Sequence, residues 1–376
     1  MSCRKVSILF AKKMNLDAVS TLANQLESFH MFERVTRRTF GLALTNKCAV
    51  GCLHCINNSR SNGNAEITLA QIRKLCEEIK ASDEFDTVNM TGGEPFENVT
   101  LLNHATSIIA SYGFKPTVVT SASWAQSSEV AHNLLTVLYE SGLQVMVISR
   151  DEFHEPHVPH QYVVHALRNA LQLGICSALT LTTGEGLKGF DDLLKPISEQ
   201  LRPDEFSQIE IMESGLLRSG RAAKLPAQKF ASNCTNEPSP LYCPVSGPML
   251  LPNGEFVSCC RAELPAASLL RRGHCDTTNA SEMARSINTD PIVRMIRYFG
   301  LRRMANLLGP EEFSPSTRSF ISSAGTADLC AVCNCLLAVP DRVARLRSFA
   351  QDPALNSEMA IIAAVLYGDN TTLEIS

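Results

Sequence analysis

The chain has 376 residues, of which 45% are hydrophobic and 19% are charged, and its formal net charge at pH 7 is -4. This composition excludes an intrinsically disordered chain, and the length suits about two packed domains. No long run of one charge is present to supply an electrostatic field for nucleic acid. The longest apolar stretch near either end, Met359 to Tyr367, is much shorter than the roughly 20 residues that span a bilayer. We therefore expect a cytoplasmic protein that binds neither nucleic acid nor membrane.

Six strand–helix units follow one another from about Thr39 to Met212, which is the pattern of a parallel sheet. Six units are too few for a closed eight-stranded barrel. The predicted fold class is therefore α/β, as a partial TIM-like (β/α)6 barrel whose chemistry lies at the carboxyl ends of the strands. The predicted strands are Phe40–Thr45, Thr87–Met90, Thr117–Thr120, Gln144–Ser149, Ser177–Leu181 and Gln208–Met212. The predicted helices between them lie near Thr68–Lys80, Leu101–Tyr112, Ser128–Ser141, Gln161–Leu173 and Asp191–Gln200.

Local signals mark the ends of these helices. Thr68 followed by Gln71 is a capping-box pattern, which begins a helix. Gly113, Gly142 and Gly174 each follow a helical run, where a left-handed residue commonly ends the helix.

A proline-rich stretch from Asn236 to Pro252 ends the strand–helix rhythm, and the chain that follows is irregular and rich in cysteine. We predict an amino-terminal extension at 1–38, the partial barrel at 39–228, a smaller cysteine-rich domain at 229–340 and a helical cover at 341–376. Two further helices are predicted, at Pro291–Leu308 and Asp341–Tyr367.

Cysteine is unusually frequent, with 14 residues in a chain that has no export signal. Disulfides are disfavoured in the cytosol, so clustered thiols indicate metal ligands or redox groups. Three of them, Cys48, Cys52 and Cys55, follow the first predicted strand within eight residues. Three such thiolates can hold three irons of a four-iron, four-sulfur (4Fe–4S) cluster, which leaves the fourth iron open to chelate a small molecule. A zinc knuckle that uses these thiols with His54 or a distant cysteine is the alternative.

After the second predicted strand the chain reads Gly92-Gly93-Glu94-Pro95. A glycine pair exposes backbone groups at a strand end, and its carbonyls together with the Glu94 carboxylate can bind an ammonium group. Taken alone, these four residues indicate only a turn.

Together, the three-cysteine loop and the Gly92–Pro95 turn resemble the radical S-adenosylmethionine (radical SAM) superfamily, over about Thr39 to Met212. The resemblance implies that Cys48, Cys52 and Cys55 bind a 4Fe–4S cluster whose open iron chelates SAM. It also implies that Gly92, Gly93 and Glu94 receive the SAM amino group. His54, in a position that is usually aromatic, is implied to pack near adenine.

Later strand ends match the family less closely. The resemblance implies hydroxyls for the SAM ribose or carboxylate and a cation for the carboxylate, and the matching candidates are Ser121, Ser123, Ser149 and Arg150. A capping or surface role is the alternative for each. Asp151 and His154 could reach the substrate instead. Because His154, His157 and His160 recur every third residue, a second metal is conceivable there, but we favour a solvated loop with one member at the active site.

The late cysteines form a second group. An Asn253-Gly254 hairpin turn would bring Cys259 back towards Cys243, and the distant pair Cys330 and Cys333 could close a site. This layout resembles the SPASM and twitch extensions of radical SAM enzymes, which implies an auxiliary iron–sulfur cluster. We predict one cluster, with Cys243, Cys259, Cys330 and Cys333 as ligands. Cys260, Cys275 or Cys335 could replace one ligand, and a structural zinc is the alternative metal.

The sequence is thus interpreted as that of a radical SAM enzyme that cleaves SAM to a 5'-deoxyadenosyl radical and removes a hydrogen from its substrate. The substrate is a ribosomal peptide or a small molecule. About 38 residues precede the first strand, which we expect to be too few for a leader-peptide-binding module. An external donor such as flavodoxin or ferredoxin is expected to supply the electron.

Arg218 and Arg221 are candidate contacts for an anionic substrate or the SAM carboxylate. The rival hypothesis is a non-catalytic iron–sulfur or zinc protein that carries electrons or acts as a scaffold.

Overall fold

The computed structural model describes residues 38–184, 186–230, 241–243, 247–261, 264–265 and 268–367. Apart from Arg38, the predicted amino-terminal extension lies outside these residues. Much of the proline-rich stretch that follows Asn236 lies outside them as well. None of the helices within the described ranges is long and apolar enough to cross a membrane.

The first six strands form a parallel sheet in the order β6-β5-β4-β3-β2-β1. Neighbours in sequence are neighbours in the sheet throughout, as expected for consecutive strand–helix units. This confirms the predicted α/β fold of a partial barrel. The strands are β1 Thr39–Thr45, β2 Thr87–Gly92, β3 Lys115–Thr120, β4 Val145–Arg150, β5 Cys176–Thr183 and β6 Ile209–Gly215.

Helices connect these strands near the predicted positions. They are α1 Leu69–Lys80, α2 Val99–Ser111, α3 Ser128–Glu140, α4 His160–Leu173, α5 Phe190–Ser198 and the short α6 Pro203–Phe206, and a 3-10 turn at Pro95–Asn98 precedes α2. The predicted capping box is present, since the Thr68 hydroxyl accepts from the Gln71 backbone and the Gln71 side chain accepts from the Thr68 backbone. Gly113, Gly142 and Gly174 have φ values of 85°, 102° and 80° after their helices, which is the left-handed conformation predicted for them.

A small hairpin extends the sheet beyond β1. Strand β7 (Met249–Leu250) pairs in parallel with β1, and β8 (Glu255–Val257) and β9 (Arg271–His274) follow in antiparallel pairing. Gly254, with φ 83°, forms the predicted turn between β7 and β8. The cysteine-rich part of the chain is therefore joined to the barrel through the edge of β1, and the proposed boundaries at 228 and 340 stay a prediction.

The rest of the carboxyl-terminal region is helical. Its helices are α7 Ala280–Thr289, α8 Pro291–Tyr298, α9 Gly300–Leu308, α10 Pro315–Ser323, α11 Leu329–Leu337, α12 Pro340–Phe349 and α13 Pro353–Tyr367, and further 3-10 turns lie at Gly220–Lys224, Ala227–Phe230, Pro310–Glu312 and Thr326–Asp328. The two long helices predicted in this region were wrong, because each of them is a pair of shorter helices in the structure. The first breaks at Gly300, whose φ is 74°, and the second breaks before Pro353, which disfavours helical geometry at Asp352.

Two groups of buried apolar side chains stabilise the chain. One fills the space between the six-stranded sheet and its helices, with Leu42, Met90 and Ile148 fully buried. The other lies among the carboxyl-terminal helices and includes Leu301 and Val332. Cys48 and Cys52 belong to the first group, and Cys259 and Cys333 pack against the second.

Candidate active site

The three amino-terminal cysteines lie in a loop between β1 and α1, residues 46–67, which we call the cysteine loop. Backbone hydrogen bonds close the loop on itself, from Asn46 N–H to Ala65 O at 3.1 Å and from Cys48 N–H to Arg60 O at 2.9 Å. Cys48 and Cys52 are buried, Cys55 is half-buried, and none of the three is in a disulfide. Three thiols are therefore held together at the carboxyl end of β1.

A hydrogen bond joins the thiols of Cys52 and Cys55 and shifts their two pKa values in opposite directions. The hydrogen bond that Cys52 donates lowers the pKa of Cys55 to about 5, with further help from backbone N–H groups and the Arg221 guanidinium, while burial opposes the shift. The same hydrogen bond, together with burial, raises the pKa of Cys52. Burial also raises the pKa of Cys48. Thiolates are the form that binds iron, so a loop with one thiolate present at neutral pH fits an iron–sulfur cluster.

The glycine turn after β2 packs directly against the start of the cysteine loop. Gly93 N–H donates to Thr45 O at 2.6 Å, and Glu94 N–H donates to Lys47 O at 2.9 Å. A β-carbon on Gly92 would lie 2.3 Å from Thr45 O, and one on Gly93 would lie 1.9 Å from Lys47 O. Only glycine permits this approach, so the pair places the end of β2 against the loop.

Glu94 is buried at the end of β2 and accepts four hydrogen bonds. Oε1 accepts from the Thr120 hydroxyl at 2.7 Å and Phe96 N–H at 3.2 Å, and Oε2 accepts from the Ser121 hydroxyl at 2.5 Å and Ser121 N–H at 2.8 Å. Burial raises the pKa of the Glu94 carboxyl, and these donors oppose the rise. Glu94 therefore joins the ends of β2 and β3, and the Ser121 hydroxyl is bonded to it.

A buried carboxylate at the end of β4 holds two histidines. Asp151 Oδ2 lies 2.8 Å from His154 Nδ1 and 3.0 Å from His54 Nε2, and its Oδ1 accepts from the backbone N–H groups of Phe153 and His154. Burial alone would raise the pKa of Asp151, but the hydrogen bonds from His154 and His54 hold it well below its usual range. Asp151 was considered only for substrate contact from the sequence, whereas here it orients His54 beside the cysteine loop.

His54 lies between the cysteine loop and β4. Its ring stacks on Phe153 at 4.9 Å between centroids, and its Nδ1 atom is buried without a hydrogen-bond partner. The ligand atoms of Cys52, His54 and His154 all lie within 4.8 Å of one another. Because His54 Nε2 and His154 Nδ1 face Asp151, the remaining ring nitrogens are the atoms that could meet a bound group. Of the three regularly spaced histidines, His154 is at the site, His157 is exposed and His160 begins α4.

Arg150, the candidate cation, is the last residue of β4 and is 2% exposed. Its Nη1 donates to Val158 O at 2.7 Å and its Nη2 donates to Glu155 Oε1 at 3.1 Å, while Nε is buried without a partner. Most of the guanidinium is thus used to hold the loop after β4. Ser149 is half-buried in β4, and Ser123 is half-buried beyond β3, where its N–H lies 3.4 Å from the Ser121 hydroxyl.

Arg221 contacts the cysteine loop itself, which the sequence did not indicate. Its Nε donates to Cys52 O at 2.9 Å, its Nη1 donates to Ser59 O at 2.5 Å and its backbone N–H donates to Cys55 O at 2.9 Å. Its Nη2 atom is buried without a partner. A cavity of about 610 Å³ lies here, lined by Cys48, Ala49, Gly51, Ser59, Arg60, Ser61, Asn62 and Arg221.

The late cysteines meet between β8 and helix α11. A hydrogen bond from the Cys260 thiol lowers the pKa of Cys259 to about 7, and the same bond together with burial raises that of Cys260, which also lies in the field of Cys243 and Cys330. Burial raises the pKa of Cys333, which adjoins Cys243, Cys259 and Cys330. The structure thus brings Cys260 to the four predicted residues. Cys335 lies near Arg342, and Cys275 lies against α1, with its sulfur 3.2 Å from Gln71 Nε2.

The Ser219 hydroxyl and the Arg261 guanidinium lie beside the Cys330 thiol, where burial raises the pKa of Cys330 and hydrogen bonds from these two side chains oppose the rise. Arg261 is close enough to influence the thiols of Cys259, Cys330 and Cys333. Donors directed at neighbouring thiols favour the thiolate form, which is the form that binds a metal. The donor set suits an iron–sulfur cluster, and it would also suit zinc.

Comparisons with known proteins give one matching family model and several similar solved structures. The family model of the Radical SAM superfamily matches residues 42–197. A search of the curated proteins gave no match. Similar solved structures include BtrN in complex with AdoMet and 2-DOIA, with 14% identity, a TM-score of 0.43 and coverage of 72% of this chain and 91% of BtrN.

Two other solved structures are similar to a comparable extent. One is anSMEcpe with bound AdoMet and Cp18Cys peptide, with 9% identity, a TM-score of 0.47 and coverage of 87% of this chain and 99% of that chain. The other is Streptococcus suis SuiB bound to S-adenosylmethionine, with 13% identity, a TM-score of 0.40 and coverage of 70% of this chain and 68% of that chain. At these values none of the three carries a conclusion about the substrate of this chain.

Proposed function

The chain carries a domain of the radical SAM superfamily at residues 42–197, and from this premise we propose that it is an enzyme that cleaves SAM at the cysteine loop and removes a hydrogen from its substrate. The family implies a 4Fe–4S cluster and SAM as cofactors. The observation that carries the proposal is the contact between two strand ends, because the Gly92–Gly93 turn packs on the same loop that presents Cys48, Cys52 and Cys55.

Cys48, Cys52 and Cys55 would hold the cluster, and SAM would bind at its open iron. When bound, the cluster and SAM supply a 5'-deoxyadenosyl radical, and this chemistry belongs to the cofactors. The protein ligates and orients these groups and excludes water. Cys48 and Cys52 are 8% and 7% exposed, which supports the exclusion of solvent from the reactive centre.

Each remaining candidate has a proposed role towards SAM. The backbone of Gly92 and Gly93 would receive the amino group. Glu94 would supply negative charge beside this backbone, because each of its two oxygens already accepts two hydrogen bonds from the protein. Ser121, Ser123 and Ser149 are proposed near the ribose or the carboxylate, Arg150 near the carboxylate through its unpartnered Nε, and His54 near adenine.

A second centre is proposed at the late cysteines. Cys243, Cys259, Cys330 and Cys333 would hold one auxiliary iron–sulfur cluster of the twitch type. Cys260 lies in the same group and is the residue that could replace one of the four. The centre would hold the substrate or pass an electron. Its support is the set of neighbouring thiols together with the Ser219 and Arg261 donors that lie beside Cys330.

The substrate is proposed to be either a ribosomal peptide or a small molecule of a biosynthetic pathway. A flavodoxin or ferredoxin is proposed as the electron donor, and the cytoplasm as the place of action. A neighbouring gene for a short precursor peptide would favour the peptide, and its absence would favour the small molecule.

The test is anaerobic reconstitution followed by incubation with SAM and a reductant. Wild-type protein should bind iron and sulfide at both centres and form 5'-deoxyadenosine. Cys52→Ala should abolish 5'-deoxyadenosine, because the primary cluster then loses a ligand. Cys333→Ala should retain SAM cleavage and impair turnover of the true substrate. Zinc without iron at both centres, or unchanged cleavage in Cys52→Ala, would overturn the proposal.

The rival is a non-catalytic iron–sulfur or zinc protein that acts as an electron carrier or a scaffold. It accounts for the thiols but gives no reason for a glycine turn built against the cysteine loop. Under this rival, the reconstituted protein would bind metal and form no 5'-deoxyadenosine with any reductant.

A further inference from the structure

A four-residue segment after β6, Arg218–Arg221, touches both cysteine centres. We call it the bridging segment. Four residues span at most about 13 Å when extended, so its two ends cannot move far apart. Neither end contains a cysteine, and its role is separate from metal ligation.

At one end the bridging segment is hydrogen-bonded to the cysteine loop. Arg221 donates to three loop carbonyls, those of Cys52, Cys55 and Ser59. Gly220, with φ 56°, sits so close that a β-carbon would lie 2.4 Å from Cys55 O. The carbonyls of two of the three proposed cluster ligands are therefore fixed by two adjacent residues.

At the other end the segment contacts the residues just before helix α11, the helix that carries Cys330 and Cys333. Arg218 N–H donates to Ala327 O at 2.7 Å, and Arg218 Nε pairs with Asp328 Oδ1 at 2.8 Å. The guanidinium also lies over the Phe230 ring, 4.1 Å from its centroid. Ser219, which is 3% exposed, lies beside Cys330 and interacts with its thiol.

We propose that the bridging segment couples the two centres, so that filling the late-cysteine site stabilises the cysteine loop at the primary site. The inference rests on the proposed function for the identity of the two metals. A metal on Cys330 and Cys333 would immobilise the first turn of α11 and with it Asp328. The Arg218–Asp328 pair then holds Arg221 against the loop carbonyls. Since such coupling is reciprocal, the loop ligands should stabilise the late site by the same factor.

The test is amide hydrogen exchange in peptides from residues 46–60 of the anaerobically reconstituted full chain. Cys333→Ala should speed exchange of this loop by at least about fivefold, the lower end of typical coupling between two sites. Asp328→Asn leaves every cysteine in place and should also speed it. In the double variant the two effects should not multiply, because both act through the same segment.

Matched variants control for unrelated loss of stability. Arg168→Ala breaks a pair of comparable exposure on the barrel, Arg168 with Glu205 at 3.3 Å, and should leave loop exchange unchanged. Peptides from α3 should exchange at the wild-type rate in all variants. If Cys333→Ala does not fold, Arg218→Ala tests the bridge with both cysteine sets intact and should match Asp328→Asn.

Wild-type exchange of the loop in Asp328→Asn and Arg218→Ala would overturn the coupling, as would effects that multiply in the double variant. Iron analysis and 5'-deoxyadenosine assays on the same samples separate this outcome from failure of the proposed function. A protein that bound zinc and never cleaved SAM could still show coupled loop exchange, and an active iron protein could lack it.

Discussion

The α-carbon of Gly93 packs against the carbonyl of Lys47 so closely that a β-carbon would lie 1.9 Å from that oxygen. Through this contact the end of β2 supports the loop that follows β1. The glycine pair therefore has a structural role that does not depend on SAM, since it fixes the position of the start of the cysteine loop.

Gly93→Ala is expected to displace the cysteine loop, because the backbone of Lys47 cannot move aside as a flexible side chain could. We expect a loss of about 3 kcal/mol in the free energy of unfolding and less iron per chain after reconstitution. Denaturant unfolding and iron analysis measure these two effects. Gly215→Ala is the control, since a β-carbon there meets no atom within 4 Å. Equal iron content in both variants would contradict this role of Gly93.

Cys55 should be the most reactive thiol of the cysteine loop in metal-free protein. Its pKa is lowered to about 5, so its thiolate is present at neutral pH and is lost only as the pH falls through about 5. Brief alkylation at pH 7, read by mass spectrometry, should label Cys55 before Cys52, whose pKa is raised. Cys76 is buried with a pKa raised to about 12 and serves as the unreactive reference. Labelling of Cys55 that begins only above pH 8 would refute the lowered pKa of this thiol.

Glu94→Gln should destabilise the fold, although the side chain keeps its size. Each carboxylate oxygen accepts from one hydroxyl and one backbone N–H, and the amide group of glutamine would turn its own donors towards one of those backbone groups. The expected cost is about 2 kcal/mol in the free energy of unfolding, together with weaker binding of SAM. Urea unfolding at equal metal content measures the first effect. Glu129→Gln, at an exposed position in the first turn of α3, should change neither quantity.

Much of the barrel could be predicted because its signals are local. The strands are short runs of β-branched and apolar residues, and the Thr68–Gln71 capping box and Gly174 mark helix ends within a few residues of sequence. The three cysteines and the glycine turn were found for the same reason, since each set is contiguous. The break at Gly300 was missed because an apolar helical pattern continues across it.

The contacts between distant segments could not be predicted from the sequence. Arg221 was assigned to a substrate or to SAM because it follows a strand end, whereas it donates to carbonyls about 170 positions earlier in the chain. Asp151 could be placed near the active site, but its bonds to both His54 and His154 depend on how two loops meet. Cys260 is adjacent to Cys259, and no spacing rule indicates that both cysteines lie in the late site.

The most direct test of the account is electron paramagnetic resonance of the reduced, reconstituted protein before and after addition of SAM. A Cys330→Ala/Cys333→Ala variant should simplify the spectrum to the cluster of the cysteine loop. We expect SAM to change the g values of that signal, because the molecule binds at the iron that lacks a cysteine ligand. A reduced cluster whose spectrum is identical with and without saturating SAM would contradict the central claim.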